Sequence, residues 1–186
     1  MTHKPSFFQP SARRKTVKIM VGGVAVGGSA PVSVQTMTKT DTRDVAATVK
    51  QIKSVTAAGC DIIRVAVPDM EAARAIRRIK RGISIPLIAD IHFDYRLAVA
   101  SLESGADAIR INPGNIGGKR EVSEVIRVAN EYRSSIRIGV NSGSLEKDLL
   151  KRNRGVEATA LVESAMRNVR LLEDMGFRRI KISVKA

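Results

Sequence analysis

The sequence predicts an α/β protein, a TIM-type (β/α)8 barrel of which the chain contains about six strands and an N-terminal β-hairpin. Short β-branched runs alternate with amphipathic helical patterns, which indicates right-handed βαβ units and a parallel sheet. Within each run the residues also divide into one apolar and one polar set. The alternation leaves two architectures open, a doubly wound sheet and a closed barrel.

The predicted strands begin after a hairpin within residues 16–26, whose two short strands join around Gly22 and Gly23. Six β-branched runs follow, and each is expected to be a buried strand. They are Val32–Met37, Ile62–Val67, Ile85–Ile91, Ala108–Ile111, Ile136–Val140 and Ile180–Val184.

Between these runs, apolar residues recur at helical spacing and mark one face of each helix. The first helix has Val45, Val49, Ile52 and Val55 on this face, and a later one has Val122, Val125, Ile126 and Ala129. The longest helix has Leu161, Val162, Ala165, Met166, Val169 and Leu172.

The polar residues of the strands favour the closed barrel. Side chains alternate between the two faces of a strand, and in every strand from the second to the sixth the polar residues share one face. A doubly wound sheet is covered by helices on both faces and should be apolar on both, whereas a barrel opens inward at its mouth. The inward set is Arg64, Asp90, His92, Arg110, Asn112, Arg137, Asn141, Lys181, Ser183 and Lys185.

The length of the chain, 186 residues, is short for a complete barrel, which has eight strands in about 250 residues. We therefore expect two βα units to be missing. The expected organisation is a flexible tail over residues 1–15 and an incomplete barrel over residues 16–186.

The charge is strongly basic, with 32 Lys+Arg against 18 Asp+Glu and a net charge of +14, which implies an anionic partner. Nucleic acid is one candidate. Against it, aromatic residues make up only 3% of the chain, there is no Trp, and no helix-turn-helix, RNP or zinc-finger spacing is present. A basic nucleic-acid-binding fragment is kept as an alternative.

The predicted location is cytoplasmic. Arg13, Arg14 and Lys15 precede an apolar stretch that loosely resembles a secretion signal, but glycines and Lys18 interrupt it. No run approaches the roughly 20 apolar residues of a membrane span. The single cysteine, Cys60, cannot form an internal disulfide and is predicted to be a buried structural thiol between a helix and a strand.

The inward polar residues form the predicted ligand site, because barrel enzymes bind ligands at the carboxyl ends of their strands. Arg64, Arg110, Arg137 and Lys185 bring four cations to one space, which suits a phosphate group. Asp90 and His92 stand two residues apart, a spacing that suits proton transfer, ligand hydrogen bonding or a metal pair. Metal is disfavoured, since the only other histidine is His3 in the tail.

The glycine-rich turn over residues 112–119 is a second candidate for anion contact, because free backbone N–H groups precede a helix there. A plain turn is the alternative. The spacing is not that of a P-loop, since Arg120 stands where Ser or Thr is required. The basic run over residues 74–81 is expected to be a solvated helix face.

Six motifs follow one another and cover nearly all of the chain after residue 16. They are Val34-Gln35-Thr36-Met37-Thr38 with Thr40-Asp41-Thr42, Ile63-Arg64-Val65-Ala66-Val67, Ala89-Asp90-Ile91-His92-Phe93, Arg110-Ile111-Asn112-Pro113-Gly114-Asn115-Ile116-Gly117, Arg137-Ile138-Gly139-Val140-Asn141-Ser142-Gly143-Ser144-Leu145 and Ser183-Val184-Lys185-Ala186. In these motifs, their order and their spacing, the chain resembles (E)-4-hydroxy-3-methylbut-2-enyl diphosphate synthase, an enzyme of the methylerythritol phosphate route to isoprenoids.

The resemblance implies the reductive ring opening of 2-C-methyl-D-erythritol 2,4-cyclodiphosphate, with two electrons and loss of water, to the linear hydroxymethylbutenyl diphosphate. It places substrate binding at Arg64, Arg110, Arg137, Asn141 and Lys185. Asp90, His92 and Asn112 match neighbouring polar positions, and we assign Asp90 and His92 to catalysis and Asn112 to substrate binding.

The family's electron donor is a [4Fe–4S] cluster, held by three cysteines and a glutamate in a separate C-terminal domain and reduced by ferredoxin or flavodoxin. Cys60 matches none of these ligands, so the cluster domain is expected to be absent from this chain and the chain alone to be inactive. The full-length family enzyme is expected to be a homodimer. A pterin-binding barrel akin to dihydropteroate synthase is the other enzyme alternative, although none of its pterin-loop motifs is found.

Overall fold

Six parallel strands form one curved half-barrel sheet in chain order, and every neighbouring pair is parallel. The protein is described by a computed structural model over residues 15–152 and 158–185. A separate antiparallel hairpin, β1 and β2, precedes the sheet. The strands are β1 Ile19–Val21, β2 Val24–Val26, β3 Gln35–Met37, β4 Ile62–Ala66, β5 Leu87–Asp90, β6 Ala108–Ile111, β7 Ser135–Asn141 and β8 Ile180–Lys185.

Helices follow the strands in the alternation that the sequence predicts. Those of the described residues are α1 Val45–Ala57, α2 Met70–Arg81, α3 Tyr95–Glu103, α4 Lys119–Glu131, α5 Lys147–Arg152 and α6 Ala158–Asp174. Asp44, Asp69 and Asp94 begin the first three, because each carboxylate accepts a hydrogen bond from a backbone N–H of the first turn. Strand, aspartate cap and helix therefore form a unit that is repeated three times.

The two faces of the sheet differ as the sequence predicts. One face packs against the helices in a single apolar cluster that includes Ile63, Ala89, Ile109 and Ile138. The opposite face lines the barrel interior. The barrel expectation is thereby confirmed for the six strands present.

The N-terminal hairpin closes the lower end of the interior, at the amino ends of the strands. Val21 packs against Ile62, Ile88 and Ala108, which are the first inward residues of three strands. Gly22 has a positive φ of 52°, and a Cβ there would lie 2.8 Å from Oδ1 of Asp107. The turn of the hairpin therefore requires glycine at this position.

Several boundaries differ from the sequence prediction. β3 begins at Gln35 rather than Val32, because the Val34 N–H bonds the Asp61 side chain instead of a neighbouring strand. β5 is shorter at both ends and begins after Pro86, which has no N–H to donate.

Some predicted apolar positions are also more exposed than expected. On α6, Val162 is 58% and Met166 is 40% exposed, whereas the other four predicted face residues are buried. On β8, Ile182 and Val184 are each 49% exposed; β8 is an edge strand of the six-stranded sheet. The expected tail over residues 1–15 lies, apart from Lys15, outside the described residues.

Cys60 is buried between α1 and β4, and its thiol donates a hydrogen bond to the Ile62 carbonyl at 3.1 Å. The prediction of a buried thiol between a helix and a strand is therefore confirmed. None of the described helices combines the length and apolar character that crossing a membrane demands.

Candidate functional site

Most of the predicted site residues stand at or near the carboxyl ends of β4 to β8, whereas Arg137 lies in the first half of β7. Asp90 and Asn141 are the last residues of β5 and β7, Lys185 is the last of β8, and Asn112 directly follows β6. The register pairs Asp90 with Arg110 and Arg110 with Arg137 on successive strands. The inward polar residues therefore form a continuous row across the sheet.

Asp90 is the centre of this row and is only 7% exposed. Its carboxylate lies 3.2 Å from Nη1 of Arg110, 3.5 Å from Nε of Arg64 and 3.4 Å from Nε2 of His92. A buried carboxylate requires such partners, because an isolated charge away from water is strongly unfavourable. Asp90 thus holds three of the predicted site residues in place.

Arg110 is 8% exposed, and its guanidinium occupies space that any side chain at residue 139 of β7 would fill. Gly139 faces it from β7, and a Cβ at Gly139 would lie 2.0 Å from Nε of Arg110. Nη2 of Arg110 also donates to the Gly139 carbonyl at 3.3 Å. A glycine on the inward face of a strand therefore lets the guanidinium lie against the backbone.

Asn141 and Asn112 flank the same guanidinium at the mouth. In the amide orientation that satisfies both of its polar atoms, Asn141 accepts a hydrogen bond from Nη2 of Arg110 at 3.0 Å. Asn112 is 6% exposed and accepts from the Gly114 N–H at 3.2 Å. A cavity of about 80 Å³ lies between His92, Phe93, Arg110, Asn112, Asn115, Gly139 and Asn141.

The turn over residues 112–119 has fewer free N–H groups than its sequence indicates. The Gly114 N–H is bonded to Asn112 and also to Oδ1 of Asn168 at 3.0 Å. The Gly118 N–H, at the start of α4, is bonded to the Glu121 carboxylate at 2.8 Å. Both N–H groups have partners within the chain, which favours the plain-turn reading over anion contact.

Arg137 has a different environment from Arg64 and Arg110. Its Nη1 donates to the Gln35 side-chain oxygen at 3.4 Å rather than to a carboxylate. Burial, followed by the charges of Arg64 and Arg110, lowers the pKa of Arg137, and the charge of Asp90 opposes this effect. This side of the interior therefore carries positive charge that Asp90 does not neutralise directly.

Lys181 lies beside Arg137; the sequence predicts it on the inward face but assigns it no individual contact. The register of β7 and β8 pairs Arg137 with Lys181 and Asn141 with Lys185. Burial, followed by the charge of Arg137, lowers the pKa of Lys181 to about 8. Lys185 is exposed at the rim of the interior, whereas Lys181 is half-buried below it.

An apolar wall faces the mouth beside Asp90 and His92. A cavity of about 780 Å³ lies at the carboxyl ends of β3, β4 and β5, and its lining is largely apolar, including Met37, Ala66 and Phe93. Met37 also approaches the row of inward cations formed by Arg64, Arg110 and Arg137 (the cationic row), since Nε of Arg64 lies 3.3 Å from the Met37 sulfur. The site thus offers cations on one side and hydrocarbon on the other.

The residues present do not fit an iron–sulfur cluster. The sequence has one cysteine, and Cys60 precedes β4, at the opposite end of the strand from the mouth. Across residues 15–152 and 158–185, no three histidine, cysteine or acidic side chains converge as a metal site. One cysteine cannot supply the three cysteine ligands that the resemblance implies for the cluster.

Gly139, Lys181, Gln35 and Met37 are the site residues that sequence reasoning left without a role. Gly139 had a usable signal, since a glycine at an inward strand position marks a close approach of another group. Lys181 lies on the same face of β8 as Lys185, but its depth in the interior follows only from the β7–β8 register. The proximity of Gln35 and Met37 to the site follows only from the pairing of β3 with β4.

Fold and site together define a parallel barrel protein with a cluster of inward-facing cations and one buried carboxylate. The sequence model of the GcpE TIM-barrel domain family matches residues 16–186, and the chain therefore belongs to that family.

The curated relatives agree with this assignment. "4-hydroxy-3-methylbut-2-en-1-yl diphosphate synthase (flavodoxin)" of Desulfotalea psychrophila is 58% identical over 178 residues, which are 94% of this chain and 49% of the relative. The protein of the same name from Geobacter sulfurreducens is 57% identical over 174 residues, again 94% of this chain and 49% of the relative. The chain thus spans about half the length of these relatives. Neither alternative, the pterin enzyme or the nucleic-acid binder, is favoured.

Solved structures support the fold alone. Dihydropteroate synthase from Xanthomonas albilineans, in complex with 7,8-dihydropteroate, aligns with a TM-score of 0.58 at 18% identity, over 89% of this chain and 64% of that one. The enzyme from Vibrio fischeri aligns with a TM-score of 0.62 at 13% identity, over 90% and 66% of the two chains. The pterin enzyme therefore shares the barrel architecture.

Proposed function

We propose that this barrel binds 2-C-methyl-D-erythritol 2,4-cyclodiphosphate and holds it for reductive ring opening to 4-hydroxy-3-methylbut-2-enyl diphosphate. The observation that carries the proposal is the charge of the interior. Five cations, Arg64, Arg110, Arg137, Lys181 and Lys185, face inward from β4 to β8, with Asp90 as the one carboxylate of the described inward positions. Lys185 is exposed at the rim, but the other four are buried or half-buried, and such an excess of cations over one carboxylate is costly without an anion.

The diphosphate is assigned to the cationic row. Arg64, Arg110 and Arg137 present guanidinium groups, which can each donate two parallel hydrogen bonds to phosphate oxygens. Asn112, Asn141 and Lys185 stand above them at the mouth and complete the set. The carbon skeleton of the ligand, which includes a methyl group, fits the apolar wall of Met37, Ala66 and Phe93.

Asp90 and His92 are assigned to proton handling. His92 is exposed at the mouth, so its ring is accessible to a ligand hydroxyl, while Asp90 fixes the ring from below through Nε2. Loss of water from the substrate carbon skeleton requires a proton on the departing oxygen. A histidine oriented by a carboxylate is a suitable donor for such a step.

The reducing half of the reaction is assigned outside these residues. The resemblance implies a [4Fe–4S] cluster that supplies the two electrons, and one cysteine cannot provide its three cysteine ligands. The names of the relatives specify flavodoxin, which we propose as the donor, with ferredoxin as the alternative. Homodimer formation and a cytoplasmic location belong to the same proposal.

Calorimetric titration of the folded chain tests substrate binding. We expect the cyclodiphosphate to bind more tightly than glucose 6-phosphate, and Arg110→Ala to weaken binding by roughly 10- to 100-fold, the effect of losing a charged hydrogen bond. Arg78→Ala, on the exposed face of α2, is the matched control and should change little. Equal affinity for the two phosphates would contradict the proposal.

Iron–sulfur reconstitution tests the division of the reaction. Because the chain has one cysteine, the reconstituted chain should show no cluster absorption and no reductase activity. A brown and active sample would show that the residues described here hold the cluster themselves.

A further inference from the structure

Lys181 is a cation inside the barrel whose position the assigned site does not use. It pairs in register with Arg137, whereas Lys185 pairs with Asn141 four residues further along β8. One inward position, Ser183, therefore separates the two lysines, and Lys181 lies at the depth of Arg110 and Arg137 rather than at the rim.

The charges around Lys181 are unbalanced. Asp90 is engaged by Arg64, Arg110 and His92. The ion pairs formed within residues 15–152 and 158–185 include none to Arg137 or Lys181. A cavity of about 650 Å³ between the edge strands β3 and β8 borders both cations and Gln35; the N-terminal hairpin lines its lower side, and no carboxylate lines it. The positive charge on this side of the interior therefore lacks a described counter-ion.

We propose that Lys181 is a further ligand-binding residue, which forms with Arg137 and Gln35 an anion position at the inner end of the site and takes up a proton when a diphosphate binds there. The inference rests on the proposed function, because it places one phosphate group of the cyclodiphosphate deeper than the row of Asn141 and Lys185. The Asp90 side of the interior then serves mainly to orient Arg64 and Arg110, and the Arg137–Lys181 side supplies unneutralised charge.

Proton uptake follows from the state of Lys181 in the free protein. Its pKa of about 8 means that about half of the amines are neutral at pH 8. A phosphate anion beside it favours the charged form and raises the pKa again. Each phosphorus of the cyclodiphosphate has one ionisable oxygen, so the ligand lacks the second ionisation near pH 6 of a phosphomonoester.

The charged and titratable groups at the inward positions around Lys181 are Arg64, Arg110, Arg137, Lys185, Asp90 and His92. Burial, followed by the charge of Arg137, disfavours a proton on Lys181. Asp90 lies on the far side of Arg110, where it is paired with Arg64, Arg110 and His92. An incoming anion between Arg137 and Lys181 reverses the balance.

The test is calorimetric titration of the cyclodiphosphate into the chain at pH 8, in buffers of different ionisation enthalpy. We expect uptake of about half a proton by the unsubstituted protein, and a larger uptake at pH 9. Lys181→Arg, which stays charged, should bind without this uptake and lose less affinity between pH 7 and pH 9. Lys181→Met should lose both the uptake and roughly 10- to 100-fold in affinity.

Lys53→Met is the matched control, since it removes a lysine from the exposed surface of α1 and should retain both affinity and uptake. Thermal unfolding of each variant establishes that it is folded before titration. Equal proton uptake by the unsubstituted chain and by Lys181→Arg would overturn this inference alone. No binding of the cyclodiphosphate by the unsubstituted chain would overturn the proposed function as well.

Discussion

The two ends of the barrel interior are built on the same strands from opposite kinds of side chain. At the amino ends, Ile62, Ile88 and Ala108 pack against Val21 of the hairpin. Two residues further along the same strands stand Arg64, Asp90 and Arg110. The lower end is an apolar layer that stabilises the fold, whereas the upper end carries an excess of positive charge, which the proposed ligand would balance.

The residues that stabilise the fold and the residues proposed to bind a ligand therefore form neighbouring inward layers, two residues apart on the same strands. The step of two keeps a side chain on the inward face but moves it one layer toward the mouth. Substitutions in the two layers should therefore have distinguishable effects. Added anions should not restore the stability lost through a substitution at the lower end, but they should partly restore the stability lost through a substitution at the upper end.

The largest effect is expected for Asp90→Ala. The substitution leaves the guanidinium of Arg110, 8% exposed, without its carboxylate. Breaking a buried ion pair in this way costs about 3–5 kcal/mol in the free energy of unfolding. Urea denaturation should show the loss, and millimolar inorganic pyrophosphate should recover part of it, since the anion takes the place of the missing charge.

The matched control is Ile88→Ala, two residues earlier on β5 in the apolar layer. It should lower the free energy of unfolding by about 2–5 kcal/mol through the cavity it creates. Pyrophosphate should stabilise this variant no more than the unsubstituted chain. Equal recovery of the two variants would remove the distinction between the layers.

The sequence could predict the two faces of the sheet but not the pairing of charges on the inner one. Period-two alternation assigned Arg64, Asp90, Arg110 and Arg137 to one side, because that pattern is local. The choice of Asp90 as the partner of Arg64 and Arg110 depends on the stagger of three strands. The depths of Lys181 and Lys185 likewise depend on the β7–β8 register.

Element boundaries and exposure were less predictable for a similar reason. β3 begins three residues late because the Asp61 side chain takes the Val34 N–H, which is a contact over 27 residues of sequence. Val162 and Met166 share the helical period of α6 but are exposed, because burial depends on what packs against the helix and not on its periodicity. Local pattern was therefore sufficient for element type and face, and tertiary contacts decided the rest.

A smaller effect is expected for Gly139→Ala at the upper end. The new Cβ would lie 2.0 Å from Nε and 2.5 Å from Cζ of Arg110, so the guanidinium must move while the backbone can stay. Stability should fall less than in Asp90→Ala, but calorimetry should show binding of the cyclodiphosphate weakened roughly 10-fold or more, as expected when a positioned charged donor is lost.

Gly143→Ala is the control for this substitution, since a Cβ there meets nothing within 4 Å. It adds the same methyl group near the mouth and should leave the affinity unchanged. A folded Gly139→Ala protein that binds as tightly as the unsubstituted chain would show that the position of Arg110 against β7 is not needed for binding.

The smallest effect concerns the stability of the ligand-free chain and its dependence on pH. The pKa of Lys181 is lowered to about 8 from an unperturbed value of 10.5. Between these values the unfolded chain binds more protons than the folded one, so the Lys181 contribution to the free energy of unfolding rises with pH. Below pH 8 the charged amine is at its most unfavourable in the folded state, and above 10.5 the penalty is gone.

Lys181→Met removes this penalty and should therefore stabilise the ligand-free chain at pH 7, by an amount on the order of 1 kcal/mol after allowance for the partial exposure of the amine. The gain should shrink as the pH rises through 8 toward 10.5, because the unsubstituted protein loses the same penalty by deprotonation. Urea denaturation of both proteins at pH 7 and pH 10 measures the difference, with Lys53→Met as the reference for a lysine at the surface. A gain that stays constant over this range would mean that Lys181 is not held in an environment that disfavours its charge, and its amine would then stay charged in the free protein up to about pH 10.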